Sequence, residues 1–331
     1  MTASFDLVII GGGPAALSAA LYAGRAGIAA QIYESQAVGG TLNQIPRLEN
    51  YPGFQGSGAS LTEIMKSQAV QAGASLAYGE CTALRYTAEP VAPGAGTSSP
   101  TALVPDALVP RPAFDVSETT PVPAAPFELI IDGEPVLART VIIATGSVPR
   151  RLDFELNIPV SYCALCDGAL AAGKRTVVVG GANSAAQEAL YLANLTSNST
   201  RVTLISHSAL KADAELQKRL RAQPNVEIVE NTEPTATMLN QYDYCFVNIG
   251  RTPATQFLQE LDLQISQKNQ PPRQLLDSVG YLLATGLQTV VPGLFAAGDV
   301  RAGAVRQIVT ACADGAQAAL LAADFLRQIG N

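Results

Sequence analysis

The amino-acid sequence predicts an α/β protein with two Rossmann-like nucleotide-binding domains, each of the three-layer ββα type. Two glycine-rich loops carry this prediction, because each lies between a short apolar strand and a helix. A Cys-x-x-Cys tetrad lies directly before the second of them. The chain has 331 residues, which is enough for two domains with cores of their own.

The composition argues against several classes of function. A net charge of −7 argues against binding to nucleic acids or anionic membranes, since both are polyanions. Five cysteines, an odd number, argue against a secreted disulfide scaffold and favour the cytoplasm. The apolar run 5–10 stops at three glycines and lacks the features of a signal peptide. The apolar segment 308–329 carries charged residues, so we expect a packed amphipathic helix and no membrane span.

The first glycine loop predicts a dinucleotide site. Residues 6–10 are suited to a buried parallel strand, and a helix is predicted over 17–27. In the loop Gly11 allows the tight turn and Gly13 lets the backbone approach a pyrophosphate. A second strand over 30–33 ends at Glu34, where a carboxylate would bind ribose hydroxyls. The predicted contacts here are Gly11, Gly13, Pro14, Ala15 and Glu34.

The second glycine loop repeats this order. A strand over 176–179 precedes the loop, and a helix over 186–194 and a strand over 202–205 follow it. A second nucleotide site is therefore predicted around Gly180, Gly181, Ala182, Asn183, Ser184, Ser206 and His207.

The tetrad consists of Cys163, Ala164, Leu165 and Cys166, with Asp167 directly after it. A structural zinc site needs about four ligands. The other cysteines and the single histidine form no second pair of that spacing, so we predict a redox dithiol and no metal.

The thiolate is the reactive form of a cysteine. A helix beginning in the alanine-rich segment 168–172 would lower the pKa of a tetrad thiol. Asp167 is the nearest carboxylate in sequence and is the candidate acid for a departing thiolate, although a helix N-cap would explain it equally well.

Several further motifs occur in a fixed order. Together with the tetrad and the first loop they resemble the low-molecular-weight bacterial thioredoxin reductases, FAD enzymes of the flavoprotein disulfide reductase group, over nearly the whole chain. The motifs are Gly39-Gly40-Thr41-Leu42, Glu49-Asn50-Tyr51-Pro52-Gly53, residues 144–150, Ile249-Gly250-Arg251-Thr252-Pro253, Ala297-Gly298-Asp299-Val300 and Arg306-Gln307.

The resemblance implies a discontinuous FAD domain, residues 1–147 and 251–331, with the second nucleotide domain, 148–250, inserted. It implies a homodimer with a thioredoxin-like protein or a small disulfide as substrate, and Cys166 nearer the flavin. Asp299 would accept a ribityl hydroxyl, and a helix beginning near Arg306 would direct its N-terminus at the flavin. The implied FAD contacts are Gly40, Thr41, Leu42, Asn50, Thr145, Gly146, Gly298, Asp299, Arg306, Gln307 and Ile308, and Gly250 and Arg251 join the second site.

The chain departs from the family where the electron donor should bind. Ser206-His207-Ser208 replaces the basic cluster that would bind the 2′-phosphate of NADPH, and Ala182 replaces a glycine of the loop. Four donor hypotheses remain: NAD(P)H bound in an unusual way, a second FAD, a ferredoxin docking on the basic run 218–221, or a dithiol with oxygen as acceptor. A non-catalytic flavin-binding redox sensor is the alternative of another class.

The proline-rich segment 90–126 is a second departure and is predicted to be a surface insertion. It separates two predicted strands, 81–86 and 127–131. Cys81, Cys245 and Cys312 lie in apolar runs and are expected to be small core residues.

Overall fold

A computed structural model describes residues 2–45, 48, 50–87, 125–162, 164–195, 200–268 and 274–330, apart from the side chains of 165, 166, 267 and 268. The chain divides into two compact units. The first contains Met1–Asn43, Leu48–Ser147 and Pro253–Asn331. The second contains Val148–Thr252 with the short segment Gln44–Arg47. The sequence placed the two crossings after residues 147 and 250, and the structure has them after residues 147 and 252.

The elements are numbered along the chain. The strands are β1 (Ala3–Ile10), β2 (Ala30–Glu34), β3 (Ser75–Tyr78), β4 (Cys81–Tyr86), β5 (Phe127–Ile131), β6 (Glu134–Ile143), β7 (Ser147–Pro149), β8 (Val160–Ser161), β9 (Arg175–Val179), β10 (Arg201–Ile205), β11 (Val226–Val229), β12 (Tyr244–Val247), β13 (Arg251–Pro253) and β14 (Leu294–Ala296). The α-helices are α1 (Pro14–Arg25), α2 (Gly58–Gln71), α3 (Ala164–Asp167), α4 (Asn183–Ala193), α5 (Ala214–Arg221), α6 (Ala236–Leu239), α7 (Gln259–Lys268) and α8 (Ile308–Ile329).

The sheet of the first unit has the order β3-β2-β1-β6-β5-β4, with β14 also paired to β6. Strand β1 is parallel to β2 and β6, whereas β4, β5 and β6 form an antiparallel meander. Residues 7–10 of β1 are all buried, as a central parallel strand covered on both faces requires. This unit is the mixed α/β domain that the first glycine loop predicted.

The second unit contains a sheet of order β11-β10-β9-β12-β8 in which all the pairs are parallel. Helices α4 and α5 pack on it and α3 packs against α4, around an alanine-rich core. Strands β7 and β13, at the two chain crossings, pair in a separate two-stranded sheet. The predicted α/β class with two Rossmann-like domains is confirmed.

Helix α8 is long and apolar enough to satisfy the length and composition criteria for a membrane span. It packs against α1, and the two helices approach so closely that a Cβ at Gly315 would overlap the carbonyl oxygen of Ala15. Its buried side includes Ala311, Ala318 and Ala322. In the first unit, α8 is therefore a core helix with one polar face, as its charge pattern predicts.

Several helices begin at residues other than those predicted. Helix α1 begins at Pro14 and α4 at Asn183, each three residues before its predicted start, because the loop residues themselves form the first turn. The prediction that the tetrad precedes a helix beginning at residue 168 is wrong: α3 begins at Ala164, and a 3-10 turn follows over Gly168–Ala171.

Residues 88–124, which include most of the proline-rich segment 90–126, lie outside the described residues. Strands β4 and β5 have the predicted bounds and pair antiparallel. Beyond β4 the backbone N–H of Thr87 donates to the carbonyl of Pro126 at 2.9 Å. The chain therefore leaves and re-enters the sheet at adjacent points.

Candidate functional site

The first glycine loop leaves an open cradle at the start of α1. Gly11 has φ +107°, and a Cβ on it would meet the carbonyl oxygen of Ala144 at 2.5 Å. Gly13 is the N-cap of α1 and, as a glycine, has no side chain to cap the helix. No atom lies within 4 Å of the position that a Cβ on Gly13 would take. Pro14 occupies the first helical position and Ala15 is buried. The first backbone N–H groups of α1 are thus available to an anionic group.

Glu34, at the end of β2, contacts this loop directly. Its Oε2 accepts the N–H of Gly12 at 2.6 Å, and its Oε1 accepts the N–H of Gln36 at 2.8 Å. A carboxylate offers about four lone-pair sites, so both oxygens keep acceptor capacity for ribose hydroxyls. The carboxylate therefore fixes the loop, which is a role that the sequence did not reveal.

A 3-10 turn over Gly40–Gln44 lies beside the same loop, because Gly39 donates its N–H to the carbonyl of Gly12 at 2.8 Å. Thr41 is exposed on this turn, whereas the Leu42 side chain is buried. The motif thus places one polar side chain outward and one apolar anchor inward.

The N-terminus of α8 forms a second part of the site. Gln307 is the N-cap and shares a capping box with Thr310. Asn50, from a distant loop, donates Nδ2–H to Oε1 of Gln307 at 3.0 Å. Arg306 has φ +59° and places its guanidinium 5.0 Å from the centre of the Tyr281 ring. The helix begins at Ile308, two residues after the predicted position.

The remaining residues implied for this unit lie in turns around the ends of the strands. Gly298 and Asp299 are in a 3-10 turn, and Gly298 N–H donates to Oδ2 of Asp314 at 3.0 Å. Thr145 Oγ1 donates to the carbonyl of Ala254 at 2.8 Å, and the carbonyl of Gly146 accepts the Ala254 N–H at 3.2 Å.

The second glycine loop is more closely packed. A Cβ on Gly180 would overlap the carbonyl of Asn248, and one on Gly181 would overlap Oγ of Ser206. Ser206 is only 2% exposed, so its hydroxyl packs under the loop at Gly181 and is closed to solvent. Ala182 is the N-cap of α4, is exposed and makes no side-chain cap.

The segment after β10 folds back onto this loop. Lys211 donates its N–H to the carbonyl of Gly181 at 2.7 Å. Asn183 and Asp213 exchange two hydrogen bonds of 2.8 Å, from Asn183 Nδ2 to Asp213 Oδ2 and from the Asp213 N–H to Asn183 Oδ1. Ser184 and His207 are exposed. The charged group beside the first residue of α4 is thus the Asp213 carboxylate, and not an arginine side chain that could bind a phosphate.

Two residues complete the predicted second site. Gly250 has φ +104°, and its carbonyl accepts the Arg150 N–H at 3.0 Å. Arg251 begins β13 and is half-buried.

The tetrad is described in part. Cys163 and the side chain of Cys166 lie outside the described residues, while the backbone of Cys166 is in α3. Asp167 is the N-cap of the 3-10 turn but makes no side-chain cap. Its Oδ2 instead accepts a hydrogen bond from Ser161 Oγ at 2.7 Å. Capping therefore does not account for the Asp167 carboxylate.

The three other cysteines are poor nucleophiles. Burial raises the pKa of the Cys81 and Cys245 thiols to about 12 and raises that of Cys312 as well. Tyr51 donates its hydroxyl to Cys312 Sγ at 3.8 Å. A thiol with a raised pKa is protonated and inert at neutral pH, consistent with packing roles.

Sequence reasoning missed Ser161, Asp213 and Glu188, which is an acid on α4 whose Oε2 accepts the Nδ2–H of Asn248 at 2.5 Å. Each of them forms a hydrogen bond that only the folded chain brings about, such as the bond between Asp213 and Asn183, which are 30 residues apart. Only Ser161, two residues before the tetrad, could have been noted from its position.

Comparisons with known proteins agree with this architecture. Residues 5–315 match the family model described as pyridine nucleotide-disulphide oxidoreductase. A thioredoxin reductase of Treponema pallidum is 32% identical over 100% of both chains, and one of Listeria monocytogenes is 31% identical over 98% of this chain and 95% of its own. The crystal structure of Lactococcus lactis thioredoxin reductase in its FR conformation superposes with a TM-score of 0.70 at 26% identity, covering 98% of this chain and 99% of that one.

The chain therefore belongs to the pyridine nucleotide-disulphide oxidoreductase family. Within that family it is a thioredoxin-reductase-like flavoprotein disulfide oxidoreductase, as the resemblance implied.

Proposed function

We propose that the enzyme passes electrons between an FAD in its first unit and the Cys163–Cys166 pair, with the disulfide of a thioredoxin-like protein as the partner. The observation that carries this proposal is the Asp167 carboxylate, which lies directly after the tetrad and is fixed by Ser161 Oγ at 2.7 Å without capping a helix. An acid held in this way suits proton transfer to a departing thiolate.

The first unit fits an FAD. The space beside Gly13 and the uncapped start of α1 suit a pyrophosphate, and Glu34 retains acceptor sites for the adenosine ribose. Asn50 and Gln307 join at the N-terminus of α8, where the partial positive charge favours an anionic ring system. When bound, the flavin would supply two-electron transfer to and from a disulfide.

The chain's own residues then carry out thiol–disulfide exchange. One tetrad thiol gives its proton to the Asp167 carboxylate and attacks the partner disulfide as a thiolate, which forms a mixed disulfide. The departing partner thiolate takes that proton from Asp167. The second tetrad thiolate attacks the mixed disulfide at the sulfur of the first cysteine. A Cys163–Cys166 disulfide forms and the partner leaves with both sulfurs reduced.

The second unit does not select for the 2′-phosphate of NADPH. In the segment after β10 Ser206 is buried beneath Gly181, and the exposed positions begin with His207. The carboxylate of Asp213, bound to Asn183 at the start of α4, would disfavour a phosphate beside that helix end. We therefore propose that NADPH is not preferred over NADH. A second FAD, a ferredoxin, or a dithiol with oxygen as the acceptor remain the other hypotheses for the donor.

Cysteine variants test flavin–dithiol exchange without choosing a donor. Wild-type protein with FAD, titrated anaerobically with dithionite, should take up about two more electrons per chain than Cys163→Ser or Cys166→Ser, because each variant lacks the disulfide. Cys81→Ser, which changes a half-buried thiol of β4, should match the wild type. Equal electron uptake in all four proteins would contradict the proposed role of the tetrad.

A second assay separates an enzyme from a redox sensor. Catalytic turnover of a thioredoxin disulfide should be lost in Cys166→Ser while its FAD content stays unchanged. Full turnover in this variant would sink the enzymatic role of the tetrad, and a wild type that binds FAD but never turns over would favour the sensor.

A further inference from the structure

A carboxylate on α8 binds both ends of the turn that carries Asp299. Oδ2 of Asp314 accepts the backbone N–H of Gly298 at 3.0 Å and the Nε–H of Arg301 at 2.9 Å. The Nη2 atom of Arg301 lies 2.8 Å from the same oxygen. Gly298 begins the 3-10 turn and Arg301 directly follows it, so one carboxylate oxygen holds the turn from both sides.

This ion pair lies mostly out of solvent. The side chains of Arg301 and Asp314 are only 18% and 14% exposed, whereas those of Arg327 and Asp324, an ion pair farther along α8, are 70% and 47% exposed. Arg301 also donates Nη1–H to the carbonyl of Gly286 at 3.3 Å, which fixes the guanidinium from a second direction. A buried pair is screened less by salt than a surface pair, and a partner left alone there is costly.

The turn itself packs between α1 and α8. Gly298 has φ +77°, and a Cβ on it would lie 3.0 Å from the Cβ of Ala15 and 3.5 Å from the Cβ of Ala311. Gly298 and Val300 are buried, whereas Asp299 between them is half-buried. The Asp299 side chain is thus presented from a turn whose neighbouring residues are fixed in the core.

Asp314 also connects two parts of the candidate flavin site. It lies about two turns along α8 from Gln307, the N-cap of this helix. Gln307 and Asp299 were both implied as FAD contacts. Because Asp314 belongs to α8 and binds the N–H of Gly298, it sets where the turn lies relative to the start of the helix.

We infer that Asp314 is a positioning residue for the flavin half of FAD: with Arg301 it holds the turn so that Asp299 can accept a ribityl hydroxyl. The inference rests on the proposed FAD site in the first unit. Asp314 acts through the turn and does not itself touch the cofactor. Its effect should therefore be confined to the ribityl and flavin end, because the adenosine end is assigned to the loop at the start of α1.

Ligand binding to the full-length apoprotein tests this role. The dissociation constant of FAD is measured from flavin fluorescence, and the inhibition constant of ADP from its competition with FAD. ADP carries the adenosine and both phosphates of FAD but no ribityl chain. In Asp314→Ala, loss of the charged hydrogen bonds should weaken FAD binding about tenfold, while ADP binding stays within about twofold of the wild type.

Asp324→Ala is the matched control, because it removes an aspartate and its ion pair with Arg327 near the other end of α8. Both constants should equal those of the wild type. Arg301→Gln keeps the hydrogen bond between Gly298 and Asp314 but loses the ion pair, so it should weaken FAD binding by a smaller factor and leave ADP binding unchanged. If Asp314→Ala does not fold, Arg301→Gln provides the same comparison.

A role in the stability of the unit alone would weaken the binding of both ligands together. Parallel losses of FAD and ADP binding in Asp314→Ala and Arg301→Gln would overturn the inference, and so would FAD binding equal to the wild type in both variants. Either result would leave the flavin site in place. A wild type that binds ADP but not FAD would contradict the proposed flavin site itself, and the inference with it.

Discussion

Asn50 donates a hydrogen bond of 3.0 Å to Gln307, the N-cap of α8, across 257 positions of sequence. Both residues were implied as flavin contacts by separate motifs, and the fold brings them together. The pair ties a loop of the first unit to the helix end whose partial positive charge would face the flavin.

Gln307→Glu tests this arrangement. A carboxylate at the N-cap should preserve or raise the melting temperature, since anions stabilise helix N-termini by about 0.3–1 kcal/mol. The same charge would disfavour an anionic reduced flavin, so the flavin midpoint potential should fall. Spectroelectrochemistry with a parallel thermal melt measures both. A potential equal to the wild type would mean that this helix end does not face the flavin.

Gly13→Val tests the cradle at α1. The protein itself has room for the side chain at Gly13, so the variant should fold, but the valine would fill the space assigned to the pyrophosphate. FAD content per chain should fall severalfold in the purified variant. Unchanged FAD content would place the flavin elsewhere.

Ala182→Val is the matched variant in the second unit, because Ala182 has the same N-cap position on α4. If only the first unit binds FAD, its flavin content should equal that of the wild type. Loss of one of two flavins per chain would show that the second unit holds an FAD as well.

Arginine at the two positions after Ser206, exposed His207 and half-buried Ser208, should create a preference for NADPH. In His207→Arg with Ser208→Arg, a guanidinium could pair with the 2′-phosphate, and charged hydrogen bonds of about 1.5–3 kcal/mol correspond to roughly tenfold to a hundredfold in kcat/KM for NADPH relative to NADH. His207→Gln with Ser208→Gln controls for side-chain size. A wild type that already prefers NADPH strongly would contradict the proposed donor site.

Glu188 should make stability depend on pH. Its pKa is raised in the folded protein, chiefly by burial, so its contribution to stability is fully present below the ordinary value of 4.5 and is lost as pH rises through the raised folded value. The unfolding free energy of the wild type relative to Glu188→Gln should therefore decline over that window. Urea melts at several pH values measure the difference. A difference that grows with pH would show that the folded pKa is lowered.

The sequence predicted the elements that depend on local pattern. Strands β4 and β5 have the predicted bounds, because turn-forming residues flank short apolar runs. The predicted starts of α1 and α4 were three residues too late, because Pro14 and Asn183, which belong to the glycine loops in sequence, already form the first helical turn. The dual role of Glu34 and the contacts of Ser161 and Glu188 were hidden, since each depends on tertiary packing that no spacing encodes.

The most direct test follows the oxidative half-reaction. The anaerobic protein with FAD is reduced by dithionite, freed of excess reductant and mixed with oxidised thioredoxin in a stopped-flow spectrometer. We expect the visible flavin absorbance to return in the wild type with release of thioredoxin thiols, and Cys163→Ser and Cys166→Ser to remain bleached. Absorbance that returns equally fast in these variants, or stays bleached in the wild type, would contradict electron transfer through the tetrad.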